Sequence, residues 1–222
     1  MSKKSIPAYM ALAFIVSAVL APASSAAPVI THPTGTVLAT GVNLQATNVG
    51  EIKFISPSLT IACTAAKLTG LLKSNSTAGG FTTEITSGTF TGTGTGGDCT
   101  STGSFFTGSV AWTFNTGTNG TPWCIKNTLN DNLEIRGGAC SAATRPIRFA
   151  LDLTGLVTCT YERTTGIAGS FKTHPEDAQW SFTAGQTFSL VSGFGCPSTT
   201  ELSMSFTQET DTGTAEPFYI SS

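Results

Sequence analysis

Two matching cysteine-containing segments constrain this sequence more than any other feature. Leu59-Thr-Ile-Ala-Cys63-Thr64 and Leu156-Val-Thr-Cys159-Thr160 both end in Cys-Thr, and in the first of them Leu59, Ile61 and Cys63 alternate with Thr60, Ala62 and Thr64. A second cysteine follows each of them, Cys99 after 36 positions and Cys196 after 37, and a glycine stands one or two positions before each second cysteine. Strict alternation is typical of a half-buried β-strand. The pattern therefore predicts a duplicated β unit in which disulfides hold strands together.

The first 26 residues have the features of a secretion signal. Lys3 and Lys4 are followed by an apolar run over 8–21 and by small residues up to Ala26, after which we expect cleavage. An uncleaved anchor is the alternative, but the run is shorter than the roughly 20 residues that a membrane-spanning helix needs. Cleavage would leave 196 residues with a formal charge of −4, and no transmembrane segment is expected in them.

All six cysteines lie after the expected cleavage site, and an even number in an exported chain predicts disulfides. Six cysteines allow fifteen connectivities, and the near-repeat favours closing each copy on itself. The pairing favoured on this basis is Cys63–Cys99, Cys159–Cys196 and, between the copies, Cys124–Cys140. Zinc binding is the rival role, but closely spaced cysteine pairs are missing and the chain has two histidines. No cofactor is expected.

Composition and periodicity predict an all-β fold. Threonine and glycine are abundant, whereas charged residues make up 11% of the chain. Alternation recurs in Val110–Phe114, Phe149–Leu153 and Leu202–Phe206, and glycine clusters separate such segments. We expect an antiparallel β-sandwich or a barrel-like fold built from two similar halves.

The repeat suggests how the chain is divided. Residues 27–48 are expected to form a flexible segment with a possible first strand, and residues 49–222 a β domain. Within that domain the similar halves are 49–120 and 146–222, with 121–145 as an insert. Two similar sheets sharing a core and two small sandwiches are both compatible with this division, and the small size of each copy favours a common core.

Several of these segments resemble a group of small exported actinobacterial proteins. The resemblance rests on Ala62-Cys63-Thr-Ala-Ala-Lys-Leu-Thr-Gly70, Phe90-Thr-Gly followed by Cys99, Ala111-Trp112-Thr-Phe-Asn115 and Pro217-Phe-Tyr-Ile-Ser221. Members of the group are threonine-rich and glycine-rich and carry paired cysteines. The resemblance implies an extracellular or envelope-associated β protein, and it transfers no catalytic residue.

The sequence contains candidate residues for two kinds of hydrolytic site. A serine hydrolase would need His174, which lies in a turn-like segment, and the Gly-x-Ser-x-Gly motif that presents a serine nucleophile is missing. Glycoside cleavage would need two neighbouring carboxylates, for which Glu134, Asp152 and Glu162 are the candidates. Neither arrangement is supported by its surroundings in the sequence, so we expect no enzymatic activity. His174 remains a candidate binding residue.

A calcium site and an aromatic contact are the other candidates. Asn130, Asp131, Asn132 and Glu134 form the densest group of oxygen ligands, although ordinary turn chemistry explains asparagine and aspartate equally well. Trp123 is expected on a loop beside Cys124, where it would contact either a ligand or the adjacent disulfide.

The expectation is therefore an exported, non-catalytic β protein that serves as a cell-surface or extracellular binding or structural module. A secreted hydrolase with an unrecognised site and an envelope β-barrel or oligomer are the alternatives. Few, scattered charges make nucleic acid an improbable partner, so an envelope or extracellular partner is expected. The sequence fixes neither that partner nor the oligomeric state.

Overall fold

The computed structural model describes residues 26–114, 122–128, 132–142, 145–172, 179–182, 185–210 and 217–221. Their secondary structure is almost entirely strand. The first nine strands are β1 Val29–Thr31, β2 Asn43–Asn48, β3 Ile52–Ser56, β4 Leu59–Cys63, β5 Ala65–Ser76, β6 Gly80–Thr91, β7 Cys99–Thr102, β8 Gly108–Phe114 and β9 Trp123–Thr128. The other nine are β10 Asn132–Gly137, β11 Ile147–Leu153, β12 Val157–Arg163, β13 Ile167–Phe171, β14 Gln179–Phe182, β15 Thr187–Ser192, β16 Thr199–Ser203, β17 Ser205–Thr210 and β18 Tyr219–Ser221. Two short 3-10 helices, Thr95–Gly97 and Cys140–Ala142, interrupt the series.

Sixteen of these strands form two closed antiparallel barrels of eight strands each. Barrel 1 has the order β2-β5-β6-β9-β10-β13-β14-β17, and barrel 2 has the order β3-β4-β7-β8-β11-β12-β15-β16. Successive pairs of strands thus alternate between the barrels along the chain. An all-β, barrel-like, disulfide-bonded fold was predicted from the sequence, and the structure confirms it.

The barrels adjoin where the chain passes from one to the other. Only Thr64 separates β4 of barrel 2 from β5 of barrel 1, and only Met204 separates β16 from β17. The chain also crosses between β2 and β3. The Asn48 side chain joins this crossing to the one at Thr64, since it accepts a bond from Ala66 N (2.7 Å) and donates to the carbonyl oxygens of Thr64 and Gly50. Such bonds satisfy backbone groups where a strand leaves its sheet.

One apolar core fills both barrels. In barrel 2 the rings of Phe54 and Phe149, which occupy equivalent places in the repeat, lie 4.5 Å apart between centres. Phe90 of barrel 1 stacks on Trp112 of barrel 2 at 3.5 Å, so the two interiors are continuous. The alternation seen in the sequence places these side chains inside, with threonine and serine outside.

The repeat halves are distributed over both barrels. β3, β4, β7 and β8 form one half of barrel 2, and β11, β12, β15 and β16 form the other half. Residues 121–145, predicted as an insert, contain β9 and β10, which pair with each other in barrel 1. The segment 27–48, expected to be flexible, contains the buried strand β1 as well as β2.

The first and last described strands, β1 and β18, pair in a separate two-stranded ribbon, which we call the terminal ribbon. The side chain of Asn75 in β5 holds this ribbon against barrel 1. It accepts a bond from Ile30 N (2.9 Å) and donates to Ile30 O (2.7 Å) and Leu38 O (2.9 Å). The Asn75 amide thus joins β5 to β1, beside the bond that Leu38 N donates to Ile30 O.

Candidate functional site

The three disulfides join Cys63 to Cys99, Cys124 to Cys140 and Cys159 to Cys196. This is the pairing that the near-repeat favours, and it is confirmed. Both Cys63–Cys99 and Cys159–Cys196 belong to barrel 2, but the first joins the end of β4 to the start of β7, whereas the second joins β12 to the β15–β16 turn. Cys124–Cys140 connects β9 of barrel 1 to the short helix Cys140–Ala142.

Trp123 does not lie on a loop but is the first residue of β9, and its side chain is 1% exposed. Its neighbour Cys124 is also buried, at the disulfide with Cys140. The indole is therefore part of the core of barrel 1 and is not presented at the surface to a ligand. The second candidate binding residue, His174, lies outside the described residues.

The predicted calcium ligands are divided between described and undescribed parts of the chain. Asn130 and Asp131 lie outside the described residues, and Asn132 is exposed at the start of β10. Glu134 binds Arg136, with its Oε1 accepting from Nε at 2.8 Å and lying 2.6 Å from Nη2. This bond and the carboxylate charge raise the pKa of Arg136 above its ordinary value. Within the described parts of the chain, no three His, Cys, Asp or Glu side chains are grouped to hold a metal ion.

Two of the three candidate carboxylates are bound by arginines. Glu134 is bonded to Arg136 in barrel 1, whereas Glu162 in barrel 2 lies 2.6 Å from both Nε and Nη2 of Arg148. Asp152 is exposed on β11, where it faces Thr158 of β12. Each glutamate is thus held by an arginine of its own.

One end of barrel 2 combines exposed apolar side chains with a lack of charge. Every pair of neighbours in this barrel is antiparallel, so the turns β3–β4, β7–β8, β11–β12 and β15–β16 all emerge at the same end. We call their residues, 57–58, 103–107, 154–156 and 193–198, the charge-free end. None of these sixteen residues is Asp, Glu, Lys, Arg or His.

Two turns of the charge-free end carry strongly exposed apolar side chains. Phe194 is 97% exposed and Leu156 is 61% exposed. Ile55 and Val191, each two residues before a turn of this end, are also exposed. Four of the six exposed large hydrophobic side chains among the described residues therefore gather here.

A tight set of contacts holds the turn that carries Phe194. Cys196 is bonded to Cys159 of β12, and the Tyr161 hydroxyl donates to Pro197 O at 3.0 Å. Gly193 has φ +130°, and a Cβ there would lie 2.5 Å from Cys196 Sγ, so only glycine fits. The phenyl ring is thus exposed on a backbone that is fixed from several sides.

The β7–β8 turn, which lies across barrel 2 from the β15–β16 turn, closes this end of the barrel. A Cβ on Gly195 would lie 3.2 Å from the ring of Phe105, which belongs to the β7–β8 turn across the barrel. Phe105 N donates to Ser58 O at 3.1 Å, and both Phe105 and Phe106 pack against the core. The charge-free end is therefore a closed, packed surface and not the opening of a channel.

A shallow cleft of about 380 Å³ adjoins this end on the side of barrel 2. Its walls include Ile55, Ser56, Pro57, Thr187, Thr199 and Glu201. The lining offers hydroxyl groups and one carboxylate but no histidine, lysine or arginine. Its chemistry suits hydrogen bonding to a neutral polar group better than catalysis.

Sequence reasoning passed over these residues, although a signal was present. Gly193-Phe194-Gly195 places an aromatic residue between two glycines and directly before Cys196. Glycines with positive φ at 193 and 195 turn the chain so sharply that the residue between them projects outward. An aromatic residue at the tip of such a turn has no core to enter.

Comparison of the chain with protein-family models, with curated proteins and with solved structures found no match in any of the three. No helix in the described ranges has the length and apolar character needed to cross a membrane.

Proposed function

We propose that this chain is an exported, non-catalytic binding module of the cell surface or extracellular space, and that the charge-free end is its binding surface. Three disulfides support an oxidising compartment, which agrees with the signal-like segment over residues 1–26. The unusual surface is the charge-free end of barrel 2, which carries no acidic, basic or histidine side chain for catalysis. Binding requires no reactive group, and the exposed apolar side chains Phe194 and Leu156 can contact a partner.

The observation that carries the proposal is the exposure of Phe194 on a fixed turn. Full burial of such a side chain stabilises a complex or fold by about 1.5–3 kcal/mol, so leaving it in water forgoes that energy. Clusters of exposed apolar side chains rimmed by polar residues mark interaction sites. Phe194 is presented by a disulfide and two glycines, which supports a role outside the fold.

Retention on envelope material tests the proposal. The oxidised protein, starting at Ala27, is mixed with washed envelope fragments from an actinobacterium, and the sedimented fraction is measured. We expect wild type to sediment and the double variant Phe194→Ser, Leu156→Ser to remain in solution. Both replaced side chains are largely exposed, so the variant keeps its fold, which near-ultraviolet circular dichroism checks.

A matched control removes exposed apolar surface elsewhere. Val37 is 45% exposed and Val49 is 43% exposed, and both lie away from the charge-free end. The double variant Val37→Ser, Val49→Ser should sediment like wild type. Equal retention of all three proteins would show that another surface binds, and the proposal would be abandoned.

A further inference from the structure

We infer that the occupant of the charge-free end is the surface of an uncharged lipid layer, into which Phe194 and Leu156 insert. This inference rests on the proposed function, because it names the partner of the same surface. It is carried by the shape of the end, by its charge and by the way in which the two side chains are held.

The charge-free end presents separate projecting side chains and not a groove. Leu156 and Phe194 lie on turns of adjacent hairpins, since β12 pairs with β15. Between them the mouth of the barrel is closed by the packed ring of Phe105. A protein partner would need a separate pocket for each projecting side chain. The acyl chains of a lipid layer, in contrast, move apart to admit an apolar side chain of any shape. Separate projecting side chains therefore fit a lipid layer best.

The charge pattern selects among lipid surfaces. Among the three residues before and the three residues after each of the four turns, the only charged residues are Asp152 and Glu201, and both are acidic. An anionic surface attracts lysine and arginine, and this end has neither. Exposed hydroxyls of Ser104 and Ser198 can instead bond to ester and headgroup oxygens. The surface thus suits neutral or zwitterionic lipid.

The Phe194 turn is organised before it binds. The disulfide Cys159–Cys196, the bond from Tyr161 to Pro197 and the bond from Cys196 N to Gly193 O all fix its backbone. A turn that is already ordered loses little conformational entropy on binding. Insertion of two apolar side chains then gives a weak, reversible attachment.

The experiment measures sedimentation of the full oxidised protein with phosphatidylcholine vesicles. We expect wild type to bind and Phe194→Ser to partition about tenfold to a hundredfold more weakly, as loss of one buried phenyl ring predicts. Val37→Ser is the matched control and should bind like wild type, because Val37 lies outside the charge-free end. Binding should hardly change with salt, since no charged contact contributes.

An added indole provides a second readout. The fluorescence of Phe194→Trp should shift to shorter wavelength when vesicles are added, because the indole leaves water. The emission of Val37→Trp should not shift. Both positions are exposed, so neither variant disturbs the core. An unshifted Phe194→Trp spectrum in the presence of bound protein would overturn insertion at this site.

Other outcomes identify other occupants and overturn the inference. Binding that requires phosphatidylglycerol and disappears in salt would point to an electrostatic surface. A dimer in sedimentation velocity that Phe194→Ser abolishes would identify a second copy of the chain. Retention on envelope fragments that depends on Phe194, without vesicle binding, would leave the proposed function standing and exclude lipid. If neither assay depends on Phe194, both proposals fail.

Discussion

The Tyr161 hydroxyl donates a hydrogen bond to the carbonyl oxygen of Pro197 at 3.0 Å. This bond connects a buried residue of β12 to the turn that presents Phe194. The exposed tip of the charge-free end is thus tied to the core of barrel 2 through a titratable group.

Raising the pH should weaken the fold through Tyr161. Burial raises the pKa of this phenol from 10.0 to about 12. Between these values the unfolded chain has lost the proton and the folded chain keeps it, so the contribution present below pH 10 is lost as the pH rises towards 12. The free energy of unfolding in urea, measured at several pH values from 9 to about 12, should fall over this window.

Tyr161→Phe is the control for that titration. It removes the bond to Pro197 and should lower stability by about 1 kcal/mol at neutral pH. Its stability should decline less than that of wild type between pH 10 and pH 12. Parallel curves for the two proteins would mean that another group governs the alkaline transition.

Removing the Cys159–Cys196 disulfide should weaken binding without altering any exposed side chain. Cys159→Ala with Cys196→Ala frees the Phe194 turn and lowers stability by about 3 kcal/mol, if loop entropy in the unfolded chain dominates. Binding to envelope fragments or vesicles should fall as well, because the turn is no longer ordered.

Cys63→Ala with Cys99→Ala is the matched control for this comparison. Its loop spans 36 residues against 37, so a similar loss of stability is expected. This disulfide joins β4 to β7 and does not hold the Phe194 turn. Equal binding by the two disulfide variants would show that the order of the Phe194 turn is irrelevant.

Replacing Asn75 should release the terminal ribbon. Asn75→Ala leaves Ile30 N, Ile30 O and Leu38 O without the partner that this amide supplies. We expect a loss of about 2–3 kcal/mol in urea unfolding and faster proteolysis near residue 30. Asn43→Ala, an exposed residue of β2, should stay within about 0.5 kcal/mol of wild type. Similar losses in both variants would count against the role given to Asn75.

Gly103 should tolerate no side chain. A Cβ at this position would lie 2.3 Å from the backbone oxygen of Ser58, so Gly103→Ala must push two turns of the charge-free end apart. We expect a loss of about 1–3 kcal/mol in thermal or urea unfolding. Gly79→Ala is the control, because its Cβ would meet only Ser76 Oγ, at 3.4 Å. An unchanged midpoint for Gly103→Ala would contradict the tight contact.

The fold class and the disulfides were predictable because their signals are local. Alternation over Leu59–Cys63 defines a half-buried strand whatever sheet it joins. The near-repeat matches four of the six cysteines and leaves Cys124 and Cys140 to pair with each other. The alternation of successive strand pairs between the two barrels was not predictable from the sequence. Alternation says which face of a strand is buried but not which sheet the strand enters, and a crossing is marked by as little as Thr64.

The candidate site was predictable only in part. Trp123 was placed on a loop because Gly120 and Pro122 precede it, but tertiary packing draws it into β9. Phe194 was overlooked because an aromatic residue is ordinarily assigned to the core. Its exposure follows from the two glycines and the disulfide around it, which act on the backbone and leave no hydrophobic periodicity to detect.

The order in which the chain alternates between barrels governs how it can fold. Barrel 1 closes only when β17 meets β2, with Thr207 opposite Thr47, and barrel 2 only when β16 meets β3. Neither barrel can therefore be completed while the last quarter of the chain is still being made. Pairings so distant in sequence slow folding. Until then the apolar interior is exposed, and the disulfide Cys63–Cys99 can form early to keep the first strands together.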